Sequence, residues 1–295
     1  MLDRLKSSIL GRALANFIQD EAMMMSAALA FYTALSLAPL LIIFTYLSRL
    51  LGVDVQSVLT QQVRDLVGGQ AAEVVRVVIE AAGRHTFAGT VSTAVGITAL
   101  LFSATAVFAQ LQKAMNRIWG VRAEPGRGLH NWIRKRLLSL GLLVGIGFLL
   151  LVSLALTTLL NLYLSGEGVH WQIANFLGSF LVYVLLFALI FKVMPDVKLA
   201  WSNLLLGAAL TAALFDIGKF AVGRYLGYRS VGSVYGAAGS LLVLLVWVYY
   251  SAIIVFFGAE LTEVYTRRYG APPDLKSHTV WALKRRKNTG SDLEN

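Results

Sequence analysis

The segment Leu199–Leu226 reads LAWSNLLLGAALTAALFDIGKFAVGRYL. About 20 mostly apolar residues cross the hydrocarbon of a bilayer as a helix, so this segment is long enough to span. Yet Asp216 and Lys219 sit inside it. A charge at the bilayer centre costs roughly 2.5–3.5 kcal/mol on insertion scales. Spaced three apart, the two residues share one helix face. A mutual pair lowers the cost but leaves hydrogen-bonding sites on both groups to be filled. That face is therefore expected to turn into a bundle or toward water. Two readings stand: a substrate or proton site, and a brace between neighbouring helices.

The rest of the chain is of the same kind. Of 295 residues 57% are hydrophobic and 14% charged, with a mean hydropathy of +0.67, whereas a soluble domain carries about 25% charged residues. Six segments qualify as spans: Met24–Leu51, Gly89–Leu111, Leu137–Leu164, Trp171–Met194, Leu199–Leu226 and Val234–Thr262. With charges at span ends counted in the adjoining loops, 19 Lys and Arg fall on the side of the N-terminus and 6 on the other, with Lys219 inside a span. Positive charge marks the cytoplasmic side, so both termini are expected there. The expected fold is all-α: a polytopic membrane protein of six transmembrane helices, with amphipathic helices in the N-terminus and the first outer loop. Residues 1–23 form a cytoplasmic amphipathic helix, residues 24–262 the membrane domain with an outer helical insert at about 52–88, and residues 263–295 a polar cytoplasmic tail.

In the N-terminal segment Leu5, Ile9, Leu14, Phe17 and Ile18 alternate with Arg4, Lys6, Arg12 and Asp20, the pattern of a helix lying along a surface. In the outer insert Val55, Val58, Leu59 and Val63, then Val74, Val75, Val78 and Ile79, recur at helical spacing on either side of Gly68-Gly69. The basic loop between spans two and three carries Arg117, Arg122, Arg134, Lys135 and Arg136 with Trp119 and Trp132. Basic residues among aromatics also bind RNA. Beside a membrane the pattern reads as an anchor for anionic headgroups, and no nucleic acid is expected.

Enzyme chemistry finds little support. The four histidines, His85, His130, His170 and His278, lie apart, with no HExxH spacing. There is no cysteine, no acidic cluster for a pair of catalytic metals, no GxSxG and no Walker A sequence. No cofactor or catalytic residue is assigned. Glu260, near the inner end of span six, reads either as a paired helix residue or as the mouth of a path. Pro39 interrupts span one after Ser36 and leaves a carbonyl without its helical donor, as a simple kink or as a break that exposes backbone to cargo. Gly141xxxGly145, Gly223xxxGly227 and Gly232xxxGly236 allow close helix approach.

Ala28-Leu29-Ala30-Phe31-Tyr32 followed by Ser36 and Pro39, then Asn116-Arg117-Ile118-Trp119-Gly120, Tyr235-Gly236, Trp247-Val248-Tyr249 and Gly258-Ala259-Glu260-Leu261 together resemble the YihY/BrkB family of bacterial inner-membrane proteins. The likeness covers roughly residues 10–270. It implies a six-helix inner-membrane protein. Labels attached to the family include a transfer-RNA ribonuclease (ribonuclease BN), serum resistance, and transport of envelope lipids. It supplies no catalytic residues.

The function expected is a transporter not driven by ATP, carrying an amphiphile such as an envelope lipid. Its path residues are Asp216, Lys219, Glu260, Pro39 and Tyr32, and membrane lipids with anionic headgroups are its partners. A small-solute or ion exporter and a non-transporting envelope scaffold are the alternatives. A second copy of the chain or an envelope partner is compatible with either.

Overall fold

A computed structural model describes residues 8–51, 60, 76, 106–123, 169–228, 237–271, 273–276 and 279–282. The described residues are helical apart from two short ladders, as expected. The helices are α1 (Ile9–Gln19), α2 (Ala22–Leu51), α3 (residues 106–118), α4 (Val169–Val193), α5 (Trp201–Tyr228) and α6 (Ala237–Tyr269). The strands are β1 (Val121–Ala123), β2 (Val197–Lys198), β3 (Asp274–Leu275) and β4 (Thr279–Trp281). Expected spans one, four, five and six correspond to α2, α4, α5 and α6. Span three and all but the last residues of span two lie outside the described residues. Of the outer insert only Thr60 and Arg76 are described, and both are helical.

Three described helices contain stretches long and apolar enough to cross a membrane: Phe176–Val193, Trp201–Gly218 and Leu244–Tyr269. Their faces divide as lipid exposure requires. In α4, Val184, Phe187, Ala188 and Phe191 are buried, while Leu177, Leu181 and Leu185 are exposed at a spacing of four. In α5, Leu204, Ala208 and Ala212 are buried, and Leu206, Leu210 and Ile217 are exposed. Both faces are apolar, so the outward one suits hydrocarbon rather than water.

The chain divides into two compact units. One holds Met1–Ala22, Leu111–Leu214 and Ile254–Asn295; the other holds Met23–Gln110 and Phe215–Ile253. In the first, α5 and α6 meet in a reciprocal contact. A Cβ added at Gly207 would overlap the hydroxyl of Thr262, and one added at Gly258 would overlap the hydroxyl of Thr211. Each threonine lies four residues after the glycine of its own helix. The Thr211 hydroxyl donates to the Gly207 carbonyl at 2.6 Å, and the Thr262 hydroxyl to the Gly258 carbonyl at 2.7 Å. Each buried hydroxyl is thus satisfied within its helix, and its oxygen fills the space where the facing glycine lacks a side chain. The backbones approach as small-residue membrane interfaces permit. A turn further along, a Cβ at Gly270 would overlap the Asn203 amide.

The segment after α6 forms two short strands. The helix runs past Thr262 to Tyr269, carried by the bond from Arg267 Nε to Glu263 Oε1 one turn earlier. The chain then pairs twice. Val197 and Lys198 of β2 face Leu275 and Asp274 of β3 in antiparallel register, which sets an ammonium opposite a carboxylate. Val121, Arg122 and Ala123 of β1 face Trp281, Val280 and Thr279 of β4. Strands of two and three residues are too short for an alternation pattern to register in sequence. Residues 283–295 lie outside the described residues.

Substituting Gly207→Ala forces Thr262 and its helix outward. The expected cost is about 1–3 kcal/mol, the range for overpacking, read as a lower unfolding temperature in detergent. Adding Thr262→Gly removes the obstructing atoms. The double variant should then lose less than the sum of the singles by at least about 0.5 kcal/mol, the coupling of residues in contact. Strict additivity would mean that the two residues do not touch.

Candidate functional site

The described polar residues of the first unit gather where α3 and α4 end, α5 begins and α6 ends. Gly120 closes α3 in the left-handed region (φ 64°), where glycine carries no penalty. Its N–H bonds the Arg117 carbonyl at 3.0 Å. The turn after α4 brings Asp196 onto α3. There Gln112 Nε2 donates to Asp196 Oδ1 at 3.1 Å and Asn116 Nδ2 to Oδ2 at 2.8 Å. The Asp196 backbone N–H returns a bond to Asn116 Oδ1 at 2.8 Å. All three side chains are buried. Both carboxylate oxygens of Asp196 thus accept from side-chain amides of α3.

The tail locks this arrangement. Lys276 Nζ donates to the Pro195 carbonyl at 2.7 Å and the Val193 carbonyl at 3.3 Å, and its N–H to the Asp196 carbonyl at 3.2 Å. It thereby supplies donors and positive charge to the C-terminal end of α4. Lys192 donates to the Leu199 carbonyl and sits 5.5 Å from the Trp201 ring centroid. The Ala282 N–H bonds the Gly120 carbonyl at 2.8 Å.

Two acids of α6 are sealed in the same unit. Glu260 is 0% exposed and Glu263 2%. Thr262 and Thr266 are buried beside them. Glu263 meets Arg267, whose guanidinium stands 5.8 Å from the Trp281 ring centroid. Glu260 is therefore closed off from solvent.

In the second unit Asp216 is half-buried on α5. Phe215 beside it meets the Trp247 ring edge-on at 5.9 Å and 83°. A Cβ on Gly218 would overlap the Tyr250 ring, so the tyrosine lies flush against that turn. Lys219 is helical, and its side chain lies outside the described residues. The same holds for Pro39 in α2. Just before Pro39, Ser36 is buried and donates to the Thr33 carbonyl at 3.1 Å, not to the Leu35 carbonyl that Pro39 leaves without its helical donor. Tyr32 is exposed, with its ring 6.0 Å from that of Phe31.

Of the headgroup candidates, Arg117 and Arg122 are exposed, and Arg117 Nη2 lies 3.1 Å from Glu21 Oε2. Arg134, Lys135 and Arg136 lie outside the described residues. Among the described residues no group of three His, Cys, Asp or Glu side chains could hold a metal ion.

The run Asn116–Gly120 now has a structural role at almost every position. Asn116 holds Asp196, Ile118 and Trp119 are buried, and Gly120 makes the left-handed turn. In Gly258–Leu261 the glycine receives Thr211, Glu260 is buried, and Leu261 packs on α1. A family model described as virulence factor BrkB matches residues 13–280. The chain belongs to the BrkB family. Relatives that carry the name UPF0761 membrane protein include one from Pseudoalteromonas atlantica, 29% identical over 88% of this chain and 86% of its own length. One from Pseudomonas aeruginosa is 29% identical over 83% of this chain and 59% of its own. One from Psychrobacter is 25% identical over 86% and 47%. The chain thus spans about half the length of several of the relatives it matches. No solved structure matches. With these relatives and its apolar helices, the chain is an integral membrane protein.

Sequence reading singled out Asp216 and Glu260 but not Asp196, Glu263 or the two threonines. Glycine followed four residues later by threonine occurs in both α5 and α6 and was the available signal. Asp196, in a short turn between spans, carried none.

Replacing Asp196 by Asn puts an amide donor against Gln112 or Asn116 and removes the charge from both bonds. Stability in detergent should fall by about 1–3 kcal/mol. An unchanged unfolding temperature would show that the amides do not hold the carboxylate.

Proposed function

We propose that the protein is a transporter not driven by ATP, with a path for an amphiphile such as an envelope lipid along the region of α5 that carries Asp216. The observation that carries this reading is a half-buried carboxylate within the apolar stretch Trp201–Gly218. An ionisable residue at membrane depth faces the bundle interior or a water-filled cavity and is by default a functional candidate.

In this reading the protein lies in the bacterial inner membrane with both termini cytoplasmic, performs no enzymatic step and binds no nucleic acid. Exposed Arg117 and Arg122, with the basic residues that follow them, attract anionic headgroups. The network around Asp196 supports a second reading, a rigid scaffold for envelope machinery that moves nothing.

Reconstitution separates the two. Vesicles that hold the protein and a trace of fluorescent phospholipid should lose outer- and inner-leaflet fluorescence to an added reductant, whereas protein-free vesicles lose only the outer fraction. The double variant Asp216→Asn, Lys219→Gln should slow the second phase by at least about tenfold, a loss equivalent to about 1.4 kcal/mol, with its unfolding temperature retained. No second phase in the wild type, with ion flux also absent, would favour the scaffold. Equal rates in the double variant would remove the pair from the path.

A further inference from the structure

Helix α1 is built for a boundary. Ser8 caps it, its hydroxyl accepting from the Gly11 N–H at 3.0 Å. At 3.6 residues per turn its residues fall on three arcs. Ile9, Ala13 and Phe17 make one arc. It packs on α6 at Phe257, Leu261 and Val264, with the Phe17 and Phe257 rings edge-on at 5.9 Å. Leu10, Leu14 and Ile18 make the next arc and are 62%, 53% and 66% exposed. Arg12, Asn16 and Gln19 occupy the arc opposite. The apolar surface therefore covers half the helix, and α6 takes only half of that.

The level of this open stripe is fixed by its neighbour. Phe257, Leu261 and Val264 belong to the apolar stretch Leu244–Tyr269 and lie in the turns just before Arg267 and Arg268, the charges that close α6. A helix packed on those turns sits where hydrocarbon gives way to headgroups. The elbow at its end holds it there. Glu21 adopts a left-handed conformation (φ 55°), an uncommon one for a side chain of its kind, and its carboxylate meets Arg117. The Asp20 and Glu21 N–H groups bond the Asn16 and Ile18 carbonyls at 2.8 and 3.1 Å.

We infer that α1 is an interfacial anchor: its Leu10–Leu14–Ile18 stripe is embedded among the upper acyl chains of the bilayer, while Arg12 and Gln19 face the headgroups and water. Lipid is the occupant because the stripe belongs to a helix docked on the last apolar turns of a membrane-spanning helix, just before its closing arginines, where acyl chains begin. Anionic headgroups complement the Arg12 side.

The chain contains no cysteine, so single spin labels can be introduced directly. Leu14→Cys, Ile18→Cys and Gln19→Cys would each be labelled with a nitroxide in vesicles of phosphatidylethanolamine and phosphatidylglycerol. Collisions with oxygen, which concentrates in hydrocarbon, are compared with collisions with a water-soluble nickel chelate. The ratio of oxygen to nickel accessibility should be several-fold higher at positions 14 and 18 than at 19. Equal ratios at all three positions would overturn the inference by placing the stripe in water. Low accessibility to both reagents at 14 and 18 would also overturn it, since a second copy or another segment of the chain would then cover the stripe. Unchanged unfolding temperatures for the labelled chains confirm that α1 remains docked.

Discussion

The contact on which the first unit depends is the reciprocal seating of Thr211 and Thr262 on Gly258 and Gly207. Within a bilayer, apolar side chains gain little by leaving lipid for protein, so helices associate through close packing and satisfied polar groups. This contact supplies both. Each hydroxyl is occupied by the carbonyl of its own helix and presses its oxygen on the partner's glycine. The close approach of α5 and α6 at this point lets Asn203 fit against Gly270, and it carries the buried faces on which Glu260 and Glu263 lie.

The family runs Asn116–Gly120 and Gly258–Leu261 acquire a physical meaning from this geometry. They are points where α3, the turn after α4, α5 and α6 are joined. Asn116 uses both ends of its amide on Asp196, which aspartate or leucine at that position could not do. Gly120 provides a backbone conformation that other residues adopt at a cost. The contacts made by these runs are those of assembly.

The all-α class and the spans at α4, α5 and α6 were legible in sequence because twenty-odd apolar residues are an unambiguous signal. So was the amphipathic α1. The glycine patterns singled out, at 141, 223 and 232, did not include the pair that forms the described crossing, because glycine spacing is common in apolar sequence and threonine serves as the second small residue here. The Asp196 network depends on residues some 80 positions apart, and the ladders on segments of two or three residues. Neither leaves a local period to read. Asp216 and Glu260 were visible as charges in apolar surroundings, but only coordinates distinguish a half-buried acid from a sealed one.

The pairing of β1 with β4 and of β2 with β3 has a bearing on biogenesis. Both ladders, the Lys276 contacts and the docking of α1 on α6 join preceding segments of the chain to residues 257–282. During synthesis Gly120, Asp196 and the α1 arc that receives Phe257 wait for partners that emerge later from the ribosome. The first unit cannot be completed helix by helix in order of insertion. It closes in one late event, and a chain that stops before Asp274 leaves the membrane inserter with its spans threaded and its end unfastened, a ready substrate for quality-control proteases.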